Sequence, residues 1–261
     1  LSLASGDGDA NRTSIVRGVL EGTELTQVST LLEVYPDKQG PAHYGGKMAF
    51  LPDGTLLISV GEGFKYREKA QDLQWELGKL LRINTDGSVP ADNPFPKTAP
   101  RVYSYGHRNP QGLVYDAFTD RILMLEHGPK GGDELNHIVA SKNYGWPAIT
   151  YGVDYSGAVI SPFTEAQGME QPLTYWVPSI GPSGLAIYQG DQFREWQGDL
   201  LLGSLINGEM RRLKLEGETV ILDEAIFPEV TGRGRDVRVL HDGSIVAITD
   251  EGDIFQITDS P

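Results

Sequence analysis

The sequence predicts an all-β fold, and its repeat pattern favours a β-propeller of four-stranded antiparallel blades. Short runs of valine, isoleucine and leucine alternate with turn residues along the 261-residue chain, which contains 32 glycines and 16 prolines. No long stretch has helical periodicity. A unit of three apolar strands recurs four times, as expected for a repeat architecture. A two-sheet sandwich is the alternative, and it fits the strand count less well.

Each repeat unit begins with a polar entry segment and continues through an inner, a second and a third strand. An Asp-Gly pair, which favours a tight turn, joins the first two strands in the first and last units. The four units occupy residues 47–83, 113–138, 185–215 and 237–257, and candidate outer strands lie at 25–28, 102–105 and 219–222.

The two ends of the chain predict incomplete blades. Residues 1–4 and 14–18 have the pattern of later strands in a blade without an inner strand, and the last unit ends after its third strand. A propeller left open would expose two sheet edges, which proteins normally avoid. We therefore expect a single propeller domain over residues 1–261 that lacks about one to one and a half blades at its N-terminus.

Composition excludes several classes of partner. The chain carries 22 Lys and Arg against 36 Asp and Glu, a net charge of −14, which disfavours nucleic acid and anionic membrane surfaces. No apolar run is long enough for membrane insertion. The absence of cysteine rules out disulfides and thiol chemistry.

Polar residues suited to chemistry occupy equivalent places in the repeat. In a propeller, the segments that enter the inner strands and those that leave the second strands reach the same face. We therefore expect one mouth of the channel to gather the following residues: His43, Glu62, Arg108, Asn109, His127, Gly128, Pro129, Arg233 and Arg235.

These residue types suggest an oxidation. Arginines suit a compact polyanion because the guanidinium fork pairs with carboxylates, and carbonyl oxygens such as those of Gly128 and Pro129 suit Ca²⁺. A histidine backed by an acid, as in His43 with Glu62, suits proton abstraction. Each feature also has a structural interpretation: His43 fits a turn, and the arginines at 233 and 235 fit surface pairs with Asp236.

Several segments resemble the soluble pyrroloquinoline quinone (PQQ)-dependent sugar dehydrogenases, the glucose/sorbosone or aldose sugar dehydrogenase family. The most specific matches are residues 43–50, 71–73 with 77–83, 106–113, 128–146 and 233–237, and the similarity extends from about residue 12 to residue 258. The resemblance implies a six-bladed propeller, PQQ and Ca²⁺ as cofactors, an aldose substrate and an external electron acceptor. It also implies a periplasmic or secreted monomer or homodimer.

The resemblance further implies a role for each matching residue. His43 would take the proton from the anomeric hydroxyl while hydride passes to the quinone, and Glu62 would orient His43. The cofactor would be held by Arg108, Asn109, His127, Arg233 and Arg235. One Ca²⁺ would bind the carbonyl oxygens of Gly128 and Pro129, and a second, structural Ca²⁺ would bind Glu134 and the backbone of Tyr144, with Asp133 nearby.

Some positions depart from the family pattern. The family commonly has a cofactor-binding lysine near the position of Ile206, and glucose-specific members have aromatic and threonine contacts where this chain has Val177 and Ser179. His127 stands where those members have glutamine. A broad-specificity aldose dehydrogenase is therefore expected.

Two other functions stay open at this point. A propeller that has lost the cofactor would serve as a carbohydrate- or protein-binding module, which the missing lysine favours. A calcium-dependent hydrolase of sugar lactones would need a carboxylate-rich metal centre, whereas the expected site is dominated by arginine.

Overall fold

The computed structural model describes residues 1–259, which form five antiparallel sheets. Three sheets have four strands and two have three, and in every sheet the strands follow one another in chain order. This is the strand order of propeller blades. The prediction of an all-β propeller with four-stranded antiparallel blades is confirmed.

The strands are numbered in chain order. The first sheet contains β1 (Ser2–Gly6), β2 (Asn11–Glu21) and β3 (Glu24–Glu33), and the second contains β4 (Met48–Phe50), β5 (Leu56–Val60), β6 (Lys79–Ile83) and β7 (Val102–Tyr105). The third contains β8 (Pro110–Asp116), β9 (Arg121–Glu126), β10 (Asp133–Ile138) and β11 (Thr174–Trp176). The fourth contains β12 (Pro182–Ile187), β13 (Leu200–Ser204), β14 (Glu209–Glu216) and β15 (Thr219–Ile226), and the fifth contains β16 (Gly234–Val239), β17 (Ile245–Thr249) and β18 (Ile254–Ile257).

Both predicted Asp-Gly turns form for the expected reason. Gly54, between β4 and β5, has φ of +81°, and Gly243, between β16 and β17, has φ of +82°. The preceding aspartates accept hydrogen bonds from backbone amides two residues on, at 2.9 Å from Thr55 and 2.9 Å from Ser244. Each turn thus closes its hairpin with local side-chain support.

The chain divides into two compact units. One comprises residues 1–110, 139–150 and 161–170, and the other comprises residues 111–138, 151–160 and those from 171 onward. The first unit packs one core between the first and second sheets, and the second unit packs two cores among the remaining three sheets. The prediction of a single domain over 1–261 stays a prediction, because compact units need not fold independently.

One detail of the predicted architecture is wrong. The described residues form five sheets and not six, and residues 2–33 make the first of them, a three-stranded sheet. Residues 25–28, predicted as an outer strand, lie within β3, which pairs with β2 and forms the outer edge of the first sheet. The outer strand β11 has no predicted counterpart, since its three residues lie in a long segment of turns.

Helices are a minor component, as expected. Within residues 1–259 they are limited to two 3₁₀ turns, Arg67–Gln71 and Arg194–Trp196. Neither is long or apolar enough to cross a membrane.

Candidate active site

His43 and Glu62 form a buried hydrogen-bonded pair in the first unit. His43 precedes β4 in a left-handed backbone conformation with φ of +56°. Glu62 follows β5, and its amide donates to the carbonyl oxygen of Arg108 at 2.8 Å. Glu62 Oε1 lies 2.8 Å from His43 Nδ1, and the Glu62 side chain is 1% exposed. This is the arrangement of a carboxylate that fixes the tautomer of a histidine.

Two glycines allow the backbone segments around this pair to come close. An added Cβ at Gly61 would overlap the His43 carbonyl oxygen and lie 2.9 Å from Asn109 Oδ1. An added Cβ at Gly45, two residues after His43, would lie 2.6 Å from the Ser59 carbonyl oxygen. Contacts under 3 Å leave no room for a side chain, so both positions require glycine.

The surroundings of His43 favour its neutral form. Burial is the largest influence and lowers the pKa of His43; the positive charges of Arg108 and Lys38 lower it further, while the hydrogen bond to Glu62 raises it. The net effect is a pKa below the ordinary value. With Nδ1–H assigned to the hydrogen bond with Glu62, Nε2 is the basic nitrogen.

Arg108 and Asn109 are buried beside this pair. The Arg108 guanidinium lies 5.3 Å from the centre of the Trp146 ring, within the range of a cation–π contact. Trp146 is held in turn by Gln71, whose Nε2 donates to the Trp146 carbonyl oxygen at 2.8 Å and to Asn143 at 2.9 Å. The segments around residues 71 and 143–146 therefore support Arg108.

In the second unit, Asp133 anchors the tight loop between β9 and β10. Its carboxylate accepts backbone hydrogen bonds from Gly128 at 2.9 Å, from Ile180 at 2.9 Å and from Gly181 at 2.8 Å. Burial raises the pKa of Asp133, and these hydrogen bonds counteract the rise. Because its oxygens are engaged by backbone amides, Asp133 fits a structural role and not that of a metal ligand.

This loop lines a cavity of about 740 Å³ in the second unit. A cavity of this size suits a ligand as large as a tricyclic cofactor. Two cationic side chains, Lys130 and Arg233, line it, as do the apolar residues Val177 and Ile206. The other lining residues that bear on its chemistry are His127, Gly128, Pro129, Tyr155 and Ser179.

Some of the residues expected to hold PQQ and Ca²⁺ line this cavity. His127 Nε2 lies 2.7 Å from the Pro182 carbonyl oxygen, to which it donates, so its ring is fixed. Gly128 lies so close to Gly132 that a Cβ would overlap the Gly132 carbonyl oxygen. The backbone carbonyl oxygens of this constrained loop are suitable ligands for a hard cation. The nearby cationic side chains of Lys130 and Arg233 suit an anionic ligand.

Arg233 and Arg235 share one carboxylate. Arg235 donates from Nε and Nη2 to Asp250 at 2.5 and 2.8 Å, and Arg233 Nε lies 3.1 Å from the same side chain. Asp236, the partner considered from the sequence, accepts a hydrogen bond from Arg238 at 2.9 Å. Arg233 lines the cavity, and Arg235 is not among its lining residues.

Glu134 lies in an oxygen-rich cluster that suits a cation. It faces Glu126 on the neighbouring strand, and Asn136 Nδ2 donates to both carboxylates at 3.1 Å. Asn136 Oδ1 is buried, with no hydrogen-bond partner among the described residues. Burial, and next the charge of Glu126, raise the pKa of Glu134. An orphaned buried oxygen beside two carboxylates fits a hard cation.

The remaining predicted ligand, Tyr144, belongs to the first unit. It is buried, its ring stacks on His107 at 4.8 Å, and its hydroxyl accepts from the Val139 amide at 2.8 Å. No cluster of three or more histidine or carboxylate side chains in residues 1–259 is arranged to hold a metal. A cation in this protein would thus depend on amide and carbonyl oxygens as well.

Sequence reasoning missed three residues of these sites and the anchoring role of a fourth. Lys130 follows Pro129 directly, and its position in that motif was an available signal for a cofactor contact. Asp250 becomes visible only through the register of β16 with β17. Asp133 was seen without its function as an anchor, and Lys38, close to the His43–Glu62 pair, gave no sequence signal.

Comparisons with known proteins identify the family to which the chain is similar. Residues 1–256 match the family model described as Glucose / Sorbosone dehydrogenase. An uncharacterized protein of Synechocystis sp. is 44% identical over 259 residues, covering 94% of this chain and 63% of the relative. The aldose sugar dehydrogenase of Escherichia coli is 36% identical over 263 residues, covering 97% and 70%. Quinoprotein glucose dehydrogenase B of Acinetobacter calcoaceticus is 27% identical over 280 residues, covering 79% and 58%.

Solved structures of sugar dehydrogenases are also similar to this chain. A crystal structure of a glucose dehydrogenase superposes with a TM-score of 0.94 at 39% identity, covering 100% of this chain and 77% of the other. The PQQ-bound form of an aldose sugar dehydrogenase from Streptomyces coelicolor superposes with a TM-score of 0.75 at 28% identity, covering 98% and 74%. This chain spans between 58% and 70% of the length of the three sequence relatives.

Proposed function

Because the chain belongs to the glucose/sorbosone dehydrogenase family, we propose that it is a quinoprotein that oxidises the anomeric hydroxyl of aldose sugars to lactones. PQQ is the hydride acceptor in this proposal, Ca²⁺ is the second cofactor, and an external acceptor removes the electrons. The observation that carries the proposal is the buried His43–Glu62 pair, with 2.8 Å between Nδ1 and Oε1.

In the proposed reaction, His43 removes the proton of the anomeric hydroxyl. Glu62 accepts the Nδ1 proton of His43 in a hydrogen bond, which directs the Nε2 lone pair to the substrate. When this proton has moved to Nε2, the nearby Glu62 carboxylate stabilises the imidazolium that forms. Bound PQQ supplies the electrophilic carbonyl that takes the hydride from the sugar C1.

The proposed cofactor contacts are those that the family resemblance implies. Arg108 and Asn109 would bind near the reactive carbonyl of PQQ, while His127, Arg233 and Arg235 would bind its polar rim and carboxylates. For Arg233 and Arg235 this requires the ligand to compete with Asp250. The carbonyls of Gly128 and Pro129 would hold one Ca²⁺, and Glu134 with the Tyr144 carbonyl a second.

Specificity, location and assembly are part of the same proposal. Val177 and Ser179 line the cavity where glucose-specific members have other contacts, which favours a broad range of aldoses. A periplasmic or secreted location and a monomeric or homodimeric state are proposed from family membership alone. Cell fractionation and light scattering test these two points.

The test is dye reduction with a panel of aldoses, using the chain incubated with PQQ and Ca²⁺. Sugar-dependent turnover is expected, and His43→Ala should abolish it while PQQ binding, followed by absorbance, is retained. His241→Ala is the matched control, since His241 is exposed and lies outside the described sites. Equal turnover in His43→Ala would contradict the proposed base, and PQQ binding without oxidation of any aldose would contradict the substrate class.

A cofactor-free binding module is the second candidate, favoured by one observation. Ile206 lines the cavity and is exposed, so the position where the family commonly has a lysine offers no charge to a quinone carboxylate. Isothermal titration of the chain with PQQ separates the candidates. Absence of PQQ binding in the presence of Ca²⁺ would favour the binding module.

A further inference from the structure

A buried lysine lies next to the proposed catalytic pair and has no part in the reaction described above. Lys38 is 2% exposed, although it carries a charge that is costly to remove from water. It follows β3, and its backbone pairs with Asn11 at the start of β2 through hydrogen bonds of 2.8 and 2.9 Å. Its side chain is therefore directed from the first sheet towards the segment that carries His43.

The contacts of the Lys38 ammonium are with uncharged groups. Nζ donates to Asn11 Oδ1 at 2.9 Å and to the Gly40 carbonyl oxygen at 2.7 Å. It also lies 3.6 Å from the centre of the Tyr44 ring, and the Tyr44 hydroxyl donates to the same Asn11 oxygen at 2.8 Å. No carboxylate in residues 1–259 is close enough to form an ion pair with it, and the negative charge of Glu62 acts on it from a greater distance.

Lys38 touches the residue that follows each member of the pair. Its ammonium packs on Tyr44, which follows His43, and its alkyl stem packs on Gly63, which follows Glu62. An added Cβ at Gly63 would lie 2.7 Å from Lys38 Cδ. The side chain thus connects the two backbone segments whose separation sets the His43–Glu62 hydrogen bond.

We infer that Lys38 is a positioning residue for His43 and Glu62: it clamps the segments that follow them and, through its positive charge, favours the neutral imidazole of His43. The inference rests on the proposed function of His43 as a base. The charged groups that act on His43 are Glu62, Arg108 and Lys38. Two of the three are cations. Of these two, Lys38 is the one whose ammonium is bound by uncharged groups and whose side chain contacts both segments.

The charge of Lys38 and that of Glu62 influence each other. Burial lowers the pKa of Lys38 to about 8, and the negative charge of Glu62 opposes this shift. The positive charge of Lys38 in turn lowers the pKa of His43. Removal of the charge should therefore raise the pKa of His43.

The test measures the protonation of His43 by nuclear magnetic resonance in ¹⁵N-histidine-labelled protein, with His43→Asn to assign the signal. Lys38→Met should raise the titration midpoint of His43 by roughly 0.5 to 1 pH unit. Lys38→Arg keeps the charge and should return the midpoint towards that of the unmodified chain. An unchanged midpoint in Lys38→Met overturns the inference.

Lys79→Met is the matched control. Lys79 is a second fully buried lysine of the same unit, and its Nζ donates to the carbonyl oxygens of Lys69, Ala70 and Leu77 at 2.8, 3.0 and 2.8 Å. Its loss removes an equivalent buried charge away from His43, so the His43 midpoint should stay in place. If Lys79→Met shifts the His43 midpoint as much as Lys38→Met does, the shift reflects general destabilisation of the protein, and the inference is overturned.

A measurement on the unmodified chain covers the case in which Lys38→Met does not fold. The His43 signal should show a second inflection near the pKa of Lys38, about 8. Its absence overturns the inference. Nuclear magnetic resonance detects the protonation of His43 whether or not the protein turns over a substrate. A shifted His43 midpoint in a protein that oxidises no sugar would therefore overturn the proposed function alone. Sugar oxidation with an unshifted midpoint would overturn the role of Lys38 alone.

Discussion

The protonation state of a single ring, that of His43, sets the pH range in which the proposed dehydrogenase works. Burial lowers the pKa of His43, so the ring stays neutral to a more acidic pH than an exposed histidine. A base is active above its pKa. The acid limb of the kcat/KM profile should therefore lie below pH ~6.5.

Glu62→Gln extends this prediction. The glutamine amide cannot stabilise the imidazolium, so kcat should fall by about 10² to 10⁴ and the acid limb should move to lower pH. Steady-state dye reduction between pH 4 and 9 measures both. An acid limb that moves to higher pH in this variant would contradict the electrostatic account of the pair.

Lys130 is a second residue whose effect is local. Its side chain lines the cavity of the second unit, where Ile206 contributes no charge. Lys130→Gln should weaken PQQ binding about tenfold, the equivalent of ~1.4 kcal/mol, and Lys97→Gln, an exposed lysine of the first unit, should not. Titration calorimetry measures the change, and equal affinities in the two variants would exclude Lys130 as a contact.

Among individual residues, sequence reasoning found those whose side-chain type and repeat position together indicate a chemical role. His43, Glu62 and Arg108 occupy the repeat positions from which they were predicted, and the structure brings them together in the first unit. Lys38 and Asp250 were missed because their importance depends on contacts between segments distant in sequence. A lysine or aspartate in a loop has no local pattern that separates it from a solvated residue.

Among the structural elements, the end of β5 is the most sensitive to a change in volume. Gly61→Ala would place a methyl group against the His43 carbonyl and Asn109 Oδ1, forcing the two segments apart. We expect a lower kcat and a loss of about 1 to 3 kcal/mol in unfolding free energy. Gly8→Ala is the control, because a Cβ there would meet nothing within 4 Å.

Thermal and urea unfolding of the two glycine variants measure this difference. Equal stability and equal kcat would show that the backbone approach at Gly61 is not needed for the pair.

Strand positions were largely predictable, and the exception is the shortest outer strand. The strand Lys79–Ile83 was predicted with its observed bounds, because a short apolar run flanked by turns indicates a buried strand and marks both of its ends. The strand Glu24–Glu33 contains the predicted outer strand 25–28 and lies at the edge of its sheet. The strand Thr174–Trp176 was too short to give a periodic signal.

For the whole molecule, Ca²⁺ should act as a stabilising ligand. A ligand that binds only the folded state at 100 times its Kd adds about 2.7 kcal/mol, and each kcal/mol raises Tm by about 2 to 4 °C in a chain of this size. Calorimetry with Ca²⁺ and with a chelator measures the rise. Glu134→Gln should reduce it, because the variant removes a carboxylate from the oxygen-rich cluster.

Glu218→Gln is the control for general charge. The Glu218 side chain is 73% exposed and the substitution changes the net charge of −14 by the same amount. If both variants keep the full Ca²⁺ response, Glu134 does not bind the ion.

The two buried lysines of the first unit have a thermodynamic consequence for the molecule as a whole: unfolding should consume protons. Burial lowers the pKa of Lys38 to about 8 and that of Lys79 to about 7, and both return to about 10.4 in the unfolded chain. Between these values the unfolded state binds more protons, so these two groups make stability increase with pH. Calorimetry at pH 9 in buffers of different ionisation enthalpy should show an uptake of roughly two protons per molecule. A measured uptake near zero would mean that both ammonium groups stay charged inside the fold.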